Sequence, residues 1–317
     1  MNVKKCLITG AAGFIGSNLA MQLCNAGHSV VGIDSFHGYY SKTFKLNNLA
    51  RLWGVKTFRF RELDILNLDH LGFDKDFDCI FHLAAQPGVR DSWGAGFDSY
   101  STNNVLGTQK VFEFAVQNNT KRVVFSSSSS IYGDAETFPT LESASPKPRS
   151  PYGVSKLTGE YLGAAYARNF GLEVVALRYF TVFGPGQRPD MAIYRLIHCA
   201  ISGDPFPKYG GGEQIRDFTY VEDVVAANIL AATATLSSQF VVINIGGGNN
   251  ISLNSLISNI ETITEARIRI TQQGKPKGDV IRTSADTNLA SELLGWHPKI
   301  AIETGLELQY RWQTGSH

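Results

Sequence analysis

A chain of 317 residues has room for one large domain, or for a main domain with a smaller lobe. With 43% hydrophobic residues, 18% charged residues and a formal net charge of +1, it can bury a core, and nothing in the balance suits a polyelectrolyte partner such as nucleic acid. Its four cysteines, Cys6, Cys24, Cys79 and Cys199, are scattered without Cys-x-x-Cys or metal-ligand spacing, which predicts buried thiols in a reducing compartment and no metal site.

Lys4-Lys5 precedes an apolar stretch, but Gly10, Gly13 and Gly16 interrupt it, so a signal peptide is not expected. No run approaches the length of a membrane span, and a cytoplasmic protein is expected. Apolar, β-branched runs at 3–9, 29–33, 57–62, 79–82, 122–126 and 174–177 predict buried strands. Between them, residues 14–26 and 105–117 carry apolar side chains at helical spacing. That alternation predicts an α/β fold: a doubly wound parallel sheet of Rossmann type, with a smaller mixed α/β lobe at the C-terminal end. After about Arg178 the rhythm shortens around Gly184-Pro185-Gly186, Gly203-Asp204-Pro205 and Gly210-Gly211-Gly212. The division expected is a nucleotide domain of 1–178 with 218–246 returning to it, and a substrate lobe of 179–217 and 247–317.

The first strand runs into Thr9-Gly10-Ala11-Ala12-Gly13-Phe14-Ile15-Gly16. In a strand–turn–helix, such glycines let the backbone approach a pyrophosphate that rests on the helix N-terminus. The spacing here is one residue wider than the common dinucleotide fingerprint, and a glycine-rich turn alone is often structural. Asp34 closes the second strand, where a carboxylate can accept from the adenosine ribose hydroxyls and repel a 2′-phosphate, favouring NAD over NADP. Asp64-Ile65 closes the third strand at the place of an adenine-edge contact, although an ordinary loop carboxylate fits Asp64 as well.

Tyr152 and Lys156, in Ser-Pro-Tyr-Gly-Val-Ser-Lys, are four residues apart on a predicted helix and share a face. A phenol of pKa about 10 is a poor base, and a neighbouring cation favours its ionised form. It can then take an alcohol proton while hydride leaves the same carbon, with a hydroxyl from the serine run at 126–130 sharing the proton. Most Tyr-x-x-x-Lys pairs are mere helix-surface pairs; the glycine turn upstream and the serine-ended strand before this one argue for chemistry.

The glycine turn, His82-Leu83-Ala84-Ala85, Asn104-Val105-Leu106-Gly107-Thr108, 126–133, Tyr152/Lys156 and Arg216-Asp217-Phe218-Thr219-Tyr220 together resemble the extended short-chain dehydrogenase/reductases that act on nucleotide sugars. The resemblance covers nearly the whole chain. It implies tightly held NAD, contacted by Gly10, Gly13, Phe14, Ile15, Gly16, Asp34, Asp64, Ile65, Leu83, Ala84, Ala85, Asn104, Tyr152 and Lys156. It implies a UDP- or dTDP-sugar between the lobes, and Ser128 as the serine acting with Tyr152. It also implies a homodimer built on the helices at about 101–117 and 151–169.

Dehydratases and uronate decarboxylases of this family usually carry an acidic residue just before the Val/Ile-Tyr-Gly, where this chain has Ser129 and Ser130. Their hydroxyls favour epimerisation. The segment 177–192, with Thr181 and Arg188-Pro189-Asp190-Met191, looks most like the UDP-glucuronate 4-epimerases, as do Gln86-Pro87-Gly88-Val89-Arg90 and Tyr39-Tyr40. The expected substrate contacts are Arg90, Ser128, Ser129, Ser130, Thr181 and Arg188, with Arg216 and then Arg282 on the diphosphate and Asp279 on the uridine ribose. For Arg188 a loop salt bridge, and for Arg282 surface solvation, are the plainer readings. Gly186-Gln187 and Lys275-Pro276-Lys277 depart from the usual pattern, which leaves open a UDP-hexose or UDP-N-acetylhexosamine 4-epimerase. A nucleotide-sugar dehydratase or decarboxylase, and a non-catalytic NAD sensor on the same fold, are further alternatives.

Overall fold

In the computed structural model, residues 4–72, 75–274 and 278–315 are described; Val3 of the first expected strand and Lys275-Pro276-Lys277 lie outside them. The chain lays down β1 (Lys5–Thr9), β2 (Ser29–Asp34), β3 (Phe58–Glu62), β4 (Cys79–His82), β5 (Arg122–Ser128) and β6 (Glu173–Tyr179). The short strands β7 (Thr181–Phe183), β8 (Phe206–Tyr209) and β9 (Ile215–Tyr220) follow, then β10 (Phe240–Ile245), β11 (Asn249–Ser252) and β12 (Ile270–Gln273). Among the described residues, seven strands form one parallel sheet in the order β10-β6-β5-β4-β1-β2-β3. The inner strands are largely apolar without alternation because both faces are covered; the edge strand β3, expected to be buried, instead alternates Phe58-Arg59-Phe60-Arg61 and is mostly exposed. Cys6 and Ile8 enter one core cluster and Leu7 the other; Val175 and Leu177 likewise oppose Val174 and Ala176.

The strand order reverses between β1 and β4: the chain steps outward to β2 and β3, then returns on the other side of β1. The carboxyl ends of strands at such a reversal open a crevice for ligands. A smaller sheet, β11-β9-β7, and the pair β12-β8 carry the second half of the chain. As expected, 241–245 return to the main sheet, where β10 lies parallel to β6. Tyr220 and the two residues before it belong instead to β9 of the small sheet.

The helices are α1 (Phe14–Asn25), α2 (Lys42–Ala50), α3 (Phe97–Tyr100) and α4 (Gly107–Gln117), the last two joined by a π-helical stretch, Ser101–Leu106. Next come α5 (Pro151–Phe170), α6 (Ala192–Ser202), α7 (Val221–Thr233), α8 (Leu253–Thr264), α9 (Asn288–Leu294) and α10 (Ile302–Thr314). The ends of α5 are written in the sequence. Ser150 Oγ accepts from the Gly153 N–H, Pro151 opens the first turn, and Gly171 closes the helix at φ 72°.

A buried polar network fixes α5 to the sheet. Arg178 of β6 donates from Nε and Nη2 to the two carboxylate oxygens of Glu160 on α5, at 2.9 and 2.7 Å. Ser127 of β5 donates to the same carboxylate, and Arg178 Nη1 donates to the Tyr132 phenol oxygen at 2.7 Å. Among the described residues, no helix is long and apolar enough to cross a membrane, and no group of three or more His, Cys, Asp or Glu could hold a metal.

Candidate active site

Gly10 follows β1 at φ 73°, and a Cβ there would come within 2.8 Å of the Ala84 nitrogen. A Cβ on Gly16 would run into the Gly10 carbonyl oxygen. The turn is therefore packed backbone against backbone. Helix α1 starts after an extended Gly13, with no side-chain cap and no acidic residue in its first turn. Its first N–H groups are left for an anion, which is what a dinucleotide pyrophosphate requires. Gly10, Gly13, Phe14, Ile15 and Gly16 all line one cavity of about 350 Å³.

Asp34, at the end of β2, lines the same cavity and is buried. Its Oδ1 accepts from the Phe36 N–H at 2.8 Å and from Lys45 Nζ at 3.0 Å. Lys45 is the cavity residue that sequence reasoning missed at this end. It is buried on α2, 11 residues from its partner, and only the helical register could have pointed to it. Ile65 lines the cavity, whereas the Asp64 carboxylate accepts from the Leu66 N–H at 2.9 Å and caps a 3-10 turn, the plain role its loop position suggested.

Leu83, Ala84 and Ala85 form the wall after β4, held by an imidazole beneath. The Ala84 N–H donates to Thr9 Oγ1 at 3.1 Å; Thr9 Oγ1 is 2.8 Å from His82 Nδ1, and His82 Nε2 is 3.0 Å from Thr108 Oγ1. Burial, aided by the Lys156 charge, pulls His82 down to about 3, so the ring is neutral at physiological pH. Asn104 stands behind this wall. Its amide accepts from the Gln86 N–H and donates to the Gln86 carbonyl and Ser155 Oγ, while Asn103 is the neighbour that reaches the cavity.

Ser128, Ser129, Ser130, Tyr152 and Lys156 all line the same cavity. Burial raises the Tyr152 phenol above its ordinary value, against a hydrogen bond with Ser128 and the Arg188 charge, both of which lower it. Lys156 is buried, which brings its pKa down to about 7, and its ammonium donates to the Ser126 carbonyl at 2.7 Å. Tyr100 holds the other side, edge-on to Tyr152 at 6.1 Å between ring centroids, with its O–H on the Pro87 and Gly88 carbonyls. Asp34 is the one carboxylate lining this cavity among the described residues.

A second cavity of about 510 Å³ adjoins the first, and Tyr39, Gly88, Val89 and Thr181 line both. Among the residues singled out from the sequence, Arg90, Arg216 and Asp279 line it, together with Arg195 and Tyr209, which sequence reasoning missed. Arg90 lies over the Tyr209 ring at 4.1 Å. Arg216 donates to Asp279 at 2.7 Å and to the Val280 carbonyl at 2.8 Å. Arg188 lines the first cavity beside Thr181, and Asp190 lines the second. Arg188 donates to both oxygens of Asp190, the loop salt bridge that its position allowed. Arg282 lines neither cavity; it is exposed, with its guanidinium 4.8 Å from the Phe138 ring centroid.

Residues 6–246 match the model of the NAD dependent epimerase/dehydratase family. A protein of Bacillus subtilis (strain 168) named as an uncharacterized UDP-glucose epimerase, YtcB, is 40% identical over 306 residues, 95% of each chain. The UDP-glucuronate 4-epimerase of Thermodesulfobacterium geofontis (strain OPF15) is 36% identical over 311 residues, 96% of this chain and 95% of that one. Among solved structures, the UDP-glucuronic acid 4-epimerase from Bacillus cereus in complex with UDP-glucuronic acid and NAD superposes with a TM-score of 0.95, at 40% identity, over 99% of this chain and 100% of that one.

Proposed function

The chain belongs to the NAD dependent epimerase/dehydratase family, and from that premise we propose that it is a UDP-glucuronate 4-epimerase. The observation that carries the reading is the catalytic end of the cavity. A half-buried phenol, an amine and serine hydroxyls converge there beside Thr181 and Arg188, and no carboxylate lines that end among the described residues. A dehydratase needs an acid or base for elimination; a uronate carboxylate needs donors and a cation. This site offers the second set.

The glycine turn and the open N-terminus of α1 would hold the diphosphate of NAD, and Asp34, oriented by Lys45, its adenosine ribose. When bound, NAD supplies a nicotinamide that accepts hydride from carbon 4 of the sugar and gives it back to the opposite face. Tyr152 takes the carbon 4 hydroxyl proton and returns it, with Ser128 sharing that hydrogen bond and holding the oxygen in line. Lys156, held on the Ser126 carbonyl at 2.7 Å, lines the same cavity as the phenol. Oxidation of a uronate at carbon 4 creates a β-keto acid prone to lose carbon dioxide. Thr181, Ser129, Ser130 and Arg188 would hold its carboxylate out of line with the ketone π-system. Arg216, Arg90 and Asp279 would bind the UDP portion in the second cavity.

We read 1–178 with α7 and β10 as the nucleotide domain, and the remainder as the substrate lobe. A homodimer in the cytoplasm fits this reading. Leu106 on the π-helical stretch, and Val154 and Tyr161 seven residues apart on α5, are exposed on the helices expected to pair. A second reading, a UDP-glucose 4-epimerase, draws on Asp190, which already neutralises Arg188, and on the name of the Bacillus subtilis relative. The test is incubation of purified protein with UDP-glucuronate and no added NAD, followed by NMR. Appearance of UDP-galacturonate supports the reading. A UDP-pentose means decarboxylation. An unchanged spectrum, also with NAD added, overturns the uronate assignment and turns attention to UDP-glucose.

A further inference from the structure

We propose that Asp190 is a specificity-determining residue, holding Arg188 in an internal carboxylate pair that a sugar carboxylate must replace. The proposal rests on the uronate reading and deepens it. Arg188 donates from Nε to Asp190 Oδ1 at 2.9 Å and from Nη2 to Oδ2 at 3.0 Å. This is the side-on, two-bond geometry in which a planar guanidinium holds any carboxylate. Asp190 therefore stands in for the ligand.

The pair lies where the two cavities meet. Arg188 lines the reaction cavity and Asp190 the adjoining one, with Thr181 and Tyr39 lining both. Neither partner is fully enclosed: their side chains are 21% and 34% exposed, so a ligand in the cleft can reach the fork. Two carboxylates on one guanidinium repel each other, so a sugar carboxylate bound there weakens the hold on Asp190. On its other side, Asp190 Oδ2 lies 3.5 Å from the Tyr39 oxygen, whose single O–H already donates at 2.9 Å to Asp91 Oδ2, so Arg188 is the charged partner that Asp190 would give up. A hexose presents a neutral CH2OH at the same place. It brings no charge to replace that of the aspartate, so it leaves the pair closed. Asp190 thus lowers the affinity for a uronate while sparing a neutral sugar, and shifts the balance between them.

The experiment compares Asp190→Asn with native Asp190, both in a Tyr152→Phe background so that bound sugar is not turned over. UDP-glucuronate and UDP-glucose are titrated by calorimetry into NAD-loaded protein. Asparagine still accepts a hydrogen bond from Arg188 but carries no competing charge. UDP-glucuronate should bind about tenfold more tightly to the variant, with UDP-glucose changed by less than about twofold, because a charged hydrogen-bond pair is at stake for the first ligand only. Adding Arg188→Ala should abolish the gain. Weaker UDP-glucuronate binding to Asp190→Asn, or an equal change for both sugars, would show that Asp190 only shapes its loop, and would overturn the proposal. Turnover by the native enzyme reports on the uronate reading separately. If native protein fails to epimerise UDP-glucuronate while the variant still gains affinity for it, the reaction assignment falls and the exchange stands.

Discussion

Replacing Glu160 with glutamine preserves the shape of the side chain and removes one charge from a pair that is almost wholly enclosed. The Arg178 and Glu160 side chains are 5% and 4% exposed. In the native protein the carboxylate accepts two bonds from the guanidinium and one from Ser127. An amide offers one oxygen for these donors and turns an NH2 towards them. Arg178 keeps the Tyr132 phenol and the Glu142 carbonyl, but neither carries a full opposing charge. Breaking a buried ion pair by removing one partner costs about 3–5 kcal/mol. At about 2–4 °C per kcal/mol for large domains, Tm should fall by roughly 10 °C. The assay is thermal unfolding of NAD-free protein, since a ligand that binds only the folded state adds its own stabilisation. The charge argument has an internal control: Glu160→Leu combined with Arg178→Met removes both charges and should recover most of the loss. A fall of less than about 2 °C for Glu160→Gln would refute the reasoning. A double variant as unstable as the sum of its parts would mean that packing, and not charge, sets the cost.

Tyr152→Phe removes only the phenol O–H, so kcat should fall by about 10²–10⁴ while NAD and UDP-sugar affinities stay close to native; near-native turnover would refute the assignment. Gly16→Ala drives a methyl group into the Gly10 carbonyl, so the purified variant should have lost bound NAD, and an unchanged NAD content by absorbance would count against the cradle. Asp217 is buried on β9, and burial raises its pKa from 3.8 to about 6 despite N–H groups from Ala285, Gly248 and Gly247. A carboxyl raised in the folded state gives stability that is complete below pH 3.8 and lost as pH rises through about 6, a change of about 3 kcal/mol. Asp217→Asn has no such titration. Its stability relative to native should therefore improve between pH 4 and 6 in chemical denaturation, and parallel pH profiles would contradict the shift.

Five of the six strands of the first half were readable because each is buried on both faces and so appears as a largely apolar run, whereas β3, expected to be buried, alternates Phe and Arg at the sheet edge and is mostly exposed. The strands β8 and β12 left no such trace: Phe206–Tyr209 contains a proline, and Ile270–Gln273 is exposed along its length. The π-helical stretch at Ser101–Leu106 was invisible for another reason. It turns Asn103 into the cavity and Asn104 behind it, and no composition signal marks a change of helical register. Within the site, the glycine turn and the Tyr–Lys pair were legible because local backbone geometry demands them. Lys45 on Asp34, Asp190 on Arg188 and Asp279 on Arg216 were not read as partners, since pairing depends on side-chain reach as much as on position in the chain. Arg282 shows the reverse error: a motif placed it near the diphosphate, and its guanidinium rests on Phe138.

The serines at 126–130 divide their labour by position. The Ser126 carbonyl accepts from Lys156, the Ser127 hydroxyl donates to Glu160, and the Ser128 hydroxyl accepts from the Ser130 N–H and lowers the pKa of the Tyr152 phenol. The first three lie within β5, where changing one of them disturbs the scaffold or the proton path. Ser129 and Ser130 come after the strand, in a 3-10 turn, and line the cavity with side chains that support nothing else among the described contacts. Inheritance can therefore experiment at those two places without endangering the architecture. A lineage could exchange a hydroxyl there for an acid and acquire a different second step, with the inherited oxidation machinery left intact.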